Sequence, residues 1–122
     1  MEPTEFRLDK KGIKAVLPSL EAEIMEYMWE IKEGTAGEVY EYLKTKHPEI
    51  RRSTVSIIMN RLCEKGLLTR RMERGRGGIR YVYMITTTRE EFERKIVEKI
   101  IDTLLANFRE ATYAYISKKI RK

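Results

Sequence analysis

Between Ser53 and Tyr83 the chain sets a helix with an apolar back and a polar front directly before an arginine-rich β-hairpin pattern. At about 100° per residue, Val55, Ile58, Met59 and Leu62 gather on one side of that helix, while Ser53, Ser56, Ile57, Asn60 and Glu64 fall on the other. Gly66, just past Lys65, supplies the left-handed position that ends helices. Two β-rich runs follow, Leu67 to Met72 and Ile79 to Ile85, joined by Glu73, Arg74, Gly75, Arg76, Gly77 and Gly78, whose glycine density predicts a mobile tip.

Two helices precede this unit. Leu20, Ile24, Tyr27, Met28 and Ile31 recur at three-and-four spacing, which predicts an amphipathic helix over 20–33 with Ser19 as its N-cap. Thr35 stands three residues before Glu38, the spacing of a capping box, and opens a second helix with Val39 and Leu43 inward until Pro48 closes it. Ahead of both, residues 6–17 alternate loosely around Asp9 to Gly12, which reads as a hairpin or an extended arm. From Thr88 a helical pattern runs to the C-terminus with no Pro or Gly to stop it, and its apolar stripe is too broad for one small surface to cover. The expected class is mainly α with a small antiparallel β wing, a winged helix-turn-helix followed by one or more dimerisation helices. The expected divisions are an arm or hairpin over 1–17, a winged-helix DNA-binding domain over 18–86 and a helical dimerisation region over 87–122.

Length and composition set the limits. The 122 residues, 42% hydrophobic, suit one ordinary domain or a small domain with an appendage. No apolar stretch approaches the roughly 18 residues a bilayer requires, and the first residues lack the order of a signal peptide, so a soluble, cytoplasmic protein with no membrane partner is expected. Lone Cys63 and lone His47 form no zinc constellation, and no carboxylate pair has a catalytic context, so neither metal, cofactor nor catalytic residue is expected. Cys63 reads as core filler.

The net charge of +6 is unevenly placed. Residues 19–50 hold eight acids against three bases, whereas residues 51–85 hold nine bases against two acids. One-signed charge around an exposed helix front points to double-stranded DNA, because the major groove admits one helix and offers base edges only to that front. Ser53, Ser56, Ile57 and Asn60 are the candidates for base contact, Ile57 on a thymine methyl group or else packed against the wing. Arg52, Thr54 and Arg61 flank them at phosphate positions, and Arg74, Arg76 and Arg80 lie in or beside the wing tip, for phosphate or minor-groove contact. The C-terminal stripe, with Phe92, Ile96, Ile100, Leu104 and Phe108, is the candidate homodimer surface. The alternative is an adapter that uses its acidic first helices to dock other proteins. No residue names an effector.

The motifs Leu17-Pro18-Ser19-Leu20-Glu21-Ala22-Glu23-Ile24-Met25, Met28-Trp29, Thr54-Val55, Met59, Arg61-Leu62, Lys65-Gly66-Leu67 and Tyr81-Val82-Tyr83 resemble the penicillinase-repressor family of winged-helix regulators. That resemblance implies a homodimer reading palindromic operators, with helices after the wing intertwining two protomers. It gives Ser53, Thr54, Ser56, Ile57, Asn60 and Arg61 the recognition-helix role, Tyr81 and Tyr83 the second wing strand, and Trp29 a core position. The wing is longer and more basic than that family usually shows, and the residues before Leu17 are additional. The cysteine cluster of the copper-responsive branch is missing, which argues against copper control.

Overall fold

The computed structural model describes residues 6–121. They form two compact units, one ending at Thr88 and one beginning at Arg89. The first contains helices α1 (Ser19–Ile31), α2 (Ala36–Leu43) and α3 (Arg52–Glu64) and strands β1 (Glu33–Thr35), β2 (Leu68–Gly75) and β3 (Gly78–Ile85). The second contains α4 (Arg89–Asn107) and α5 (Arg109–Ile120).

The apolar sides of the three helices make the core of the first unit, where Leu17, Ile24, Met25, Met28, Val39, Leu43, Val55, Met59, Leu62 and Leu68 are fully enclosed. Trp29 joins them, and its indole N–H donates to the Thr87 carbonyl at 3.0 Å, fastening the chain after β3 to α1. Position 19 is the first helical residue of α1. The cap position belongs to Pro18, whose fixed φ of −54° starts the helix without a side-chain hydrogen bond. The helix ends at Ile31 because Lys32 turns left-handed, φ 73°.

That turn sends residues 33–35 into the sheet as β1, an element the sequence pattern does not announce. Its three residues pair antiparallel with β3, Gly34 opposite Tyr83, giving the order β1-β3-β2. A Cβ at Gly34 would lie 2.8 Å from the Ile31 side chain, so the close passage suits glycine. Thr35 then caps α2 in both directions: its hydroxyl accepts from the Glu38 N–H, and its own N–H donates to the Glu38 carboxylate, each at 3.1 Å.

Gly66, φ 81°, closes α3, with its N–H donating to the Cys63 carbonyl and that of Leu67 to the Leu62 carbonyl. The hairpin that follows is tighter than its glycine content predicts. Pairing continues through Glu73 opposite Arg80 and Arg74 opposite Ile79 to Gly75 opposite Gly78, so only Arg76 and Gly77 form the loop. Three helices followed by this hairpin constitute a winged helix-turn-helix.

Two further segments take a more definite form than their sequence patterns give. Residues 6–17 form no strand: a turn at 8–10 leads to a 3-10 helix, Gly12–Ala15. Ile13, Ala15 and Leu17 are buried at alternate positions by this compact coil, while Leu8 stays exposed, so the alternation marks a packed side without a ladder. In the second unit the C-terminal helical run breaks at Phe108, φ −137° and ψ 55°. Polar side chains take up the carbonyls near the break, Asn107 Nδ2 donating to Thr103 and the Thr112 hydroxyl to Leu104.

Candidate nucleic-acid interface

Helix α3 is held on its inner side by Val55, Ile58, Met59 and Leu62 and near its end by an ion pair, Lys65 Nζ to the buried Glu21 carboxylate at 2.5 Å. Its outer side is thereby fixed. Ser53, Ile57 and Arg61 are exposed, Ile57 by 54%, and Thr54, Ser56 and Asn60 are half-buried. Arg52 starts the helix with its guanidinium against α2, where a Cβ at Gly37 would meet Nη2 at 3.0 Å.

Asn60 is engaged within the protein. Its Oδ1 accepts from Arg70 Nη1 at 2.6 Å and from the Tyr83 hydroxyl at 2.9 Å, one donor from each wing strand. Arg70 also lies over the Tyr81 ring, 4.1 Å from its centroid. Sequence reasoning passed over Arg70, although its alternation with Met72 and Arg74 on one strand places all three on one face.

That alternation gives the wing two unlike faces. One continues from α3 and carries Arg70, Met72 and Arg74 on β2 opposite Tyr83, Tyr81 and Ile79 on β3, with no carboxylate. The other carries Arg71, Glu73 and Arg80 beside Glu33 of β1, and its charges are paired. Arg71 reaches Glu33 and Glu73 at 2.8 Å each, and Arg80 reaches Glu73 at 3.4 Å. Hydrogen bonding from Arg71, followed by that from Arg80, holds the Glu73 carboxyl below its ordinary range, and Glu33 and Glu73 push the Arg71 guanidinium up. The three wing arginines singled out from sequence thus separate: Arg74 faces the α3 side, Arg76 occupies the loop, and Arg80 lies on the neutralised side.

Elsewhere the chemistry is quiet. Burial pushes the half-buried Cys63 thiol up, away from the reactive thiolate. His47 Nε2 contacts the Glu23 carboxylate at 3.0 Å, tying the loop before α3 to α1. Among the described residues no cluster of His, Cys, Asp and Glu has the makings of a metal site, and no helix is long and apolar enough to cross a membrane. In the second unit Phe92 and Ile96 are buried, Ile100 is half-buried, and Leu104 and Phe108 are exposed, together with Val97, Tyr113, Tyr115 and Ile120.

Among solved structures the chain is similar to a proposed transcriptional regulator of Thermoplasma acidophilum, with a TM-score of 0.50 and 19% identity over 75% of this chain and 98% of that one. PadR family transcriptional regulators are also similar. That of Eggerthella lenta has a TM-score of 0.49 and 19% identity over 81% of this chain and 90% of its own. That of Clostridium difficile has a TM-score of 0.47 and 21% identity over 70% and 95%. No curated protein gives a significant match. The family comparison reaches further than the quoted motifs, which end at Tyr83: the model described as penicillinase repressor matches residues 17–121, through both C-terminal helices. By that match the chain belongs to the penicillinase repressor family.

Proposed function

We propose that this protein is a DNA-binding transcriptional regulator that represses by occupying a palindromic operator as a homodimer. The observation that carries the reading is the continuity of the outer side of α3 with a wing face that has arginines and no carboxylate. Ser53, Ser56 and Ile57 meet base edges in the major groove, Asn60 adds its amide N–H groups, and Arg52, Thr54 and Arg61 meet phosphates. Arg74 and Arg76 add cationic contact beyond the groove, whereas Arg80 acts through Glu73 within the wing. Family membership supports the regulatory role.

Self-association is supported by the exposed apolar groups of the second unit, among which Leu104 and Phe108 keep open surface. Two-fold symmetry then spaces the half-sites about one helical turn apart, or a multiple of it.

The test is selection of duplexes from a random pool by the purified protein, followed by titration of selected and scrambled duplexes at fixed salt. A sequence-specific regulator binds the selected duplex on the order of 10³-fold or more tightly than the scrambled one. Equal binding of the two, at nonspecific strength, would sink the proposal in favour of a docking adapter.

A further inference from the structure

We infer that the wing meets DNA through one face only, and that this face enters the minor groove beside the recognition helix with Met72 and Ile79 as apolar wedges. The inference rests on the DNA-binding reading above and specifies how the wing serves it.

Met72 and Ile79 are 63% and 64% exposed, and Tyr81 is 40% exposed. Met72 sits directly opposite Tyr81, and Ile79 opposite Arg74, so the three apolar groups form one patch on the hairpin. Arg70 borders this patch toward α3 and Arg74 borders it toward the tip, and no acid interrupts it. Folding leaves Met72 and Ile79 largely in water, although their neighbours on the same strands, Leu68 and Tyr83, are buried.

The occupant follows from chemistry. An apolar patch bordered by Arg70 and Arg74 and free of acids suits an anionic partner with apolar walls, and the minor groove is both: its floor carries negative potential, and its walls are deoxyribose carbon. With α3 filling a major groove about 12 Å wide, the adjoining minor groove is about 6 Å wide, a slot for side chains rather than for a helix. Methionine and isoleucine are among the side chains that wedge between base steps there. The opposite wing face is unsuited to such contact, since Glu33 and Glu73 would meet phosphate.

The experiment uses the full-length protein, its Met72→Ser/Ile79→Ser double variant and its Arg74→Ala variant. The probe is a duplex selected by the wild type. A second duplex has altered minor-groove amino groups in the positions flanking each half-site, by diaminopurine for adenine or inosine for guanine, leaving the major-groove edges unchanged. The exposed double substitution is expected to keep the wild-type melting temperature. It binds the selected duplex about tenfold more weakly, with an unchanged salt slope and a smaller DNA bend, and it ignores the amino-group change that shifts wild-type affinity. Arg74→Ala instead lowers the salt slope by about one contact. Wild-type affinity in the double variant overturns the inference, as does a changed oligomeric state with duplex binding intact, which would make the patch a protein contact. If the wild type itself fails to distinguish selected from scrambled duplexes, the functional reading falls and takes this inference with it.

Discussion

The Tyr83 hydroxyl donates to Asn60 Oδ1 across 2.9 Å, joining the second wing strand to helix α3. Arg70 supplies a second donor to the same oxygen at 2.6 Å, so both lone pairs of that carbonyl are spoken for. What Asn60 presents outward is its NH₂ group alone. Adenine-specific bidentate pairing needs the oxygen as well, because it must accept from adenine N6. Asn60 is therefore a positioning residue first, fixing where the wing stands relative to α3.

Tyr83→Phe and Asn60→Ala should accordingly act through the wing. Tyr83→Phe removes one neutral donor and is expected to cost about 1 kcal/mol of stability. Asn60→Ala leaves the hydroxyl of a buried tyrosine without its acceptor and is expected to cost about 1–3 kcal/mol. Denaturant unfolding of both single variants and the double variant measures their coupling, and strict additivity would refute the link. In binding-site selection, Asn60 held this way accepts either purine at its position, since both offer N7. Tyr83→Phe, by releasing part of the oxygen, should shift that preference toward adenine.

Ile57 tests base reading without disturbing the fold. It is exposed by 54% on an otherwise polar outer side, so Ile57→Ser leaves the core untouched. Burial of an aliphatic side chain against a thymine methyl group stabilises a complex by about 1–2 kcal/mol. The variant should lose that much on the selected duplex and little on scrambled DNA. Equal losses on both duplexes would show that Ile57 contributes general packing only.

The paired wing face predicts a gain of binding. Glu73 pairs with both Arg71 and Arg80, and Glu33 still holds Arg71 when Glu73 is removed, so Glu73→Gln should free Arg80 and strengthen nonspecific duplex binding, steepening the salt slope by about one contact. Acid should do the same to the unmodified protein. Because the Glu73 pKa is depressed in the folded state, its pairing is fully formed above the ordinary value of 4.5 and is lost only as pH falls through the lower folded value. A carboxyl titration followed by NMR should find its midpoint below 4.5. Arg80→Ala, whose cation is already paired, should leave the salt slope almost unchanged.

Local signals in the chain were strong wherever one short segment decided the outcome. Val55, Ile58, Met59 and Leu62 share a face by helical period alone, Thr35 and Glu38 cap each other across three residues, and Gly66 must adopt a conformation that other residues resist. The elements that escaped depend on distant partners. Strand β1 is three residues long and exists because β3 offers it an edge, and Lys32 turns left-handed without any glycine signal. The break at Phe108 has neither Pro nor Gly and is stabilised by Asn107 and Thr112, polar residues that read as ordinary helix surface. Arginine count made the wing tip look uniformly basic. Only pairing register reveals that Arg80 belongs with Glu73 and that Arg70 belongs with Asn60.

The second unit bears on how many copies bind. Phe92 and Ile96, two of the five residues expected at a dimer surface, are buried and Ile100 is half-buried, which leaves Leu104, 38% exposed, and Phe108, 64% exposed, as the open members. Leu104 lies within α4, three residues before its end, and a glutamate there keeps helix propensity while placing charge in the apolar stripe. Leu104→Glu is therefore expected to fold, by circular dichroism, and to sediment as a monomer at micromolar concentration, where the wild type is expected to sediment as a dimer. Losing the second half-site should weaken binding to a palindromic duplex by about 10²-fold or more, the avidity of two linked contacts, while binding to a single half-site stays near its wild-type value. A variant that remained dimeric would move the interface to α5, where Tyr113, Tyr115 and Ile120 are exposed.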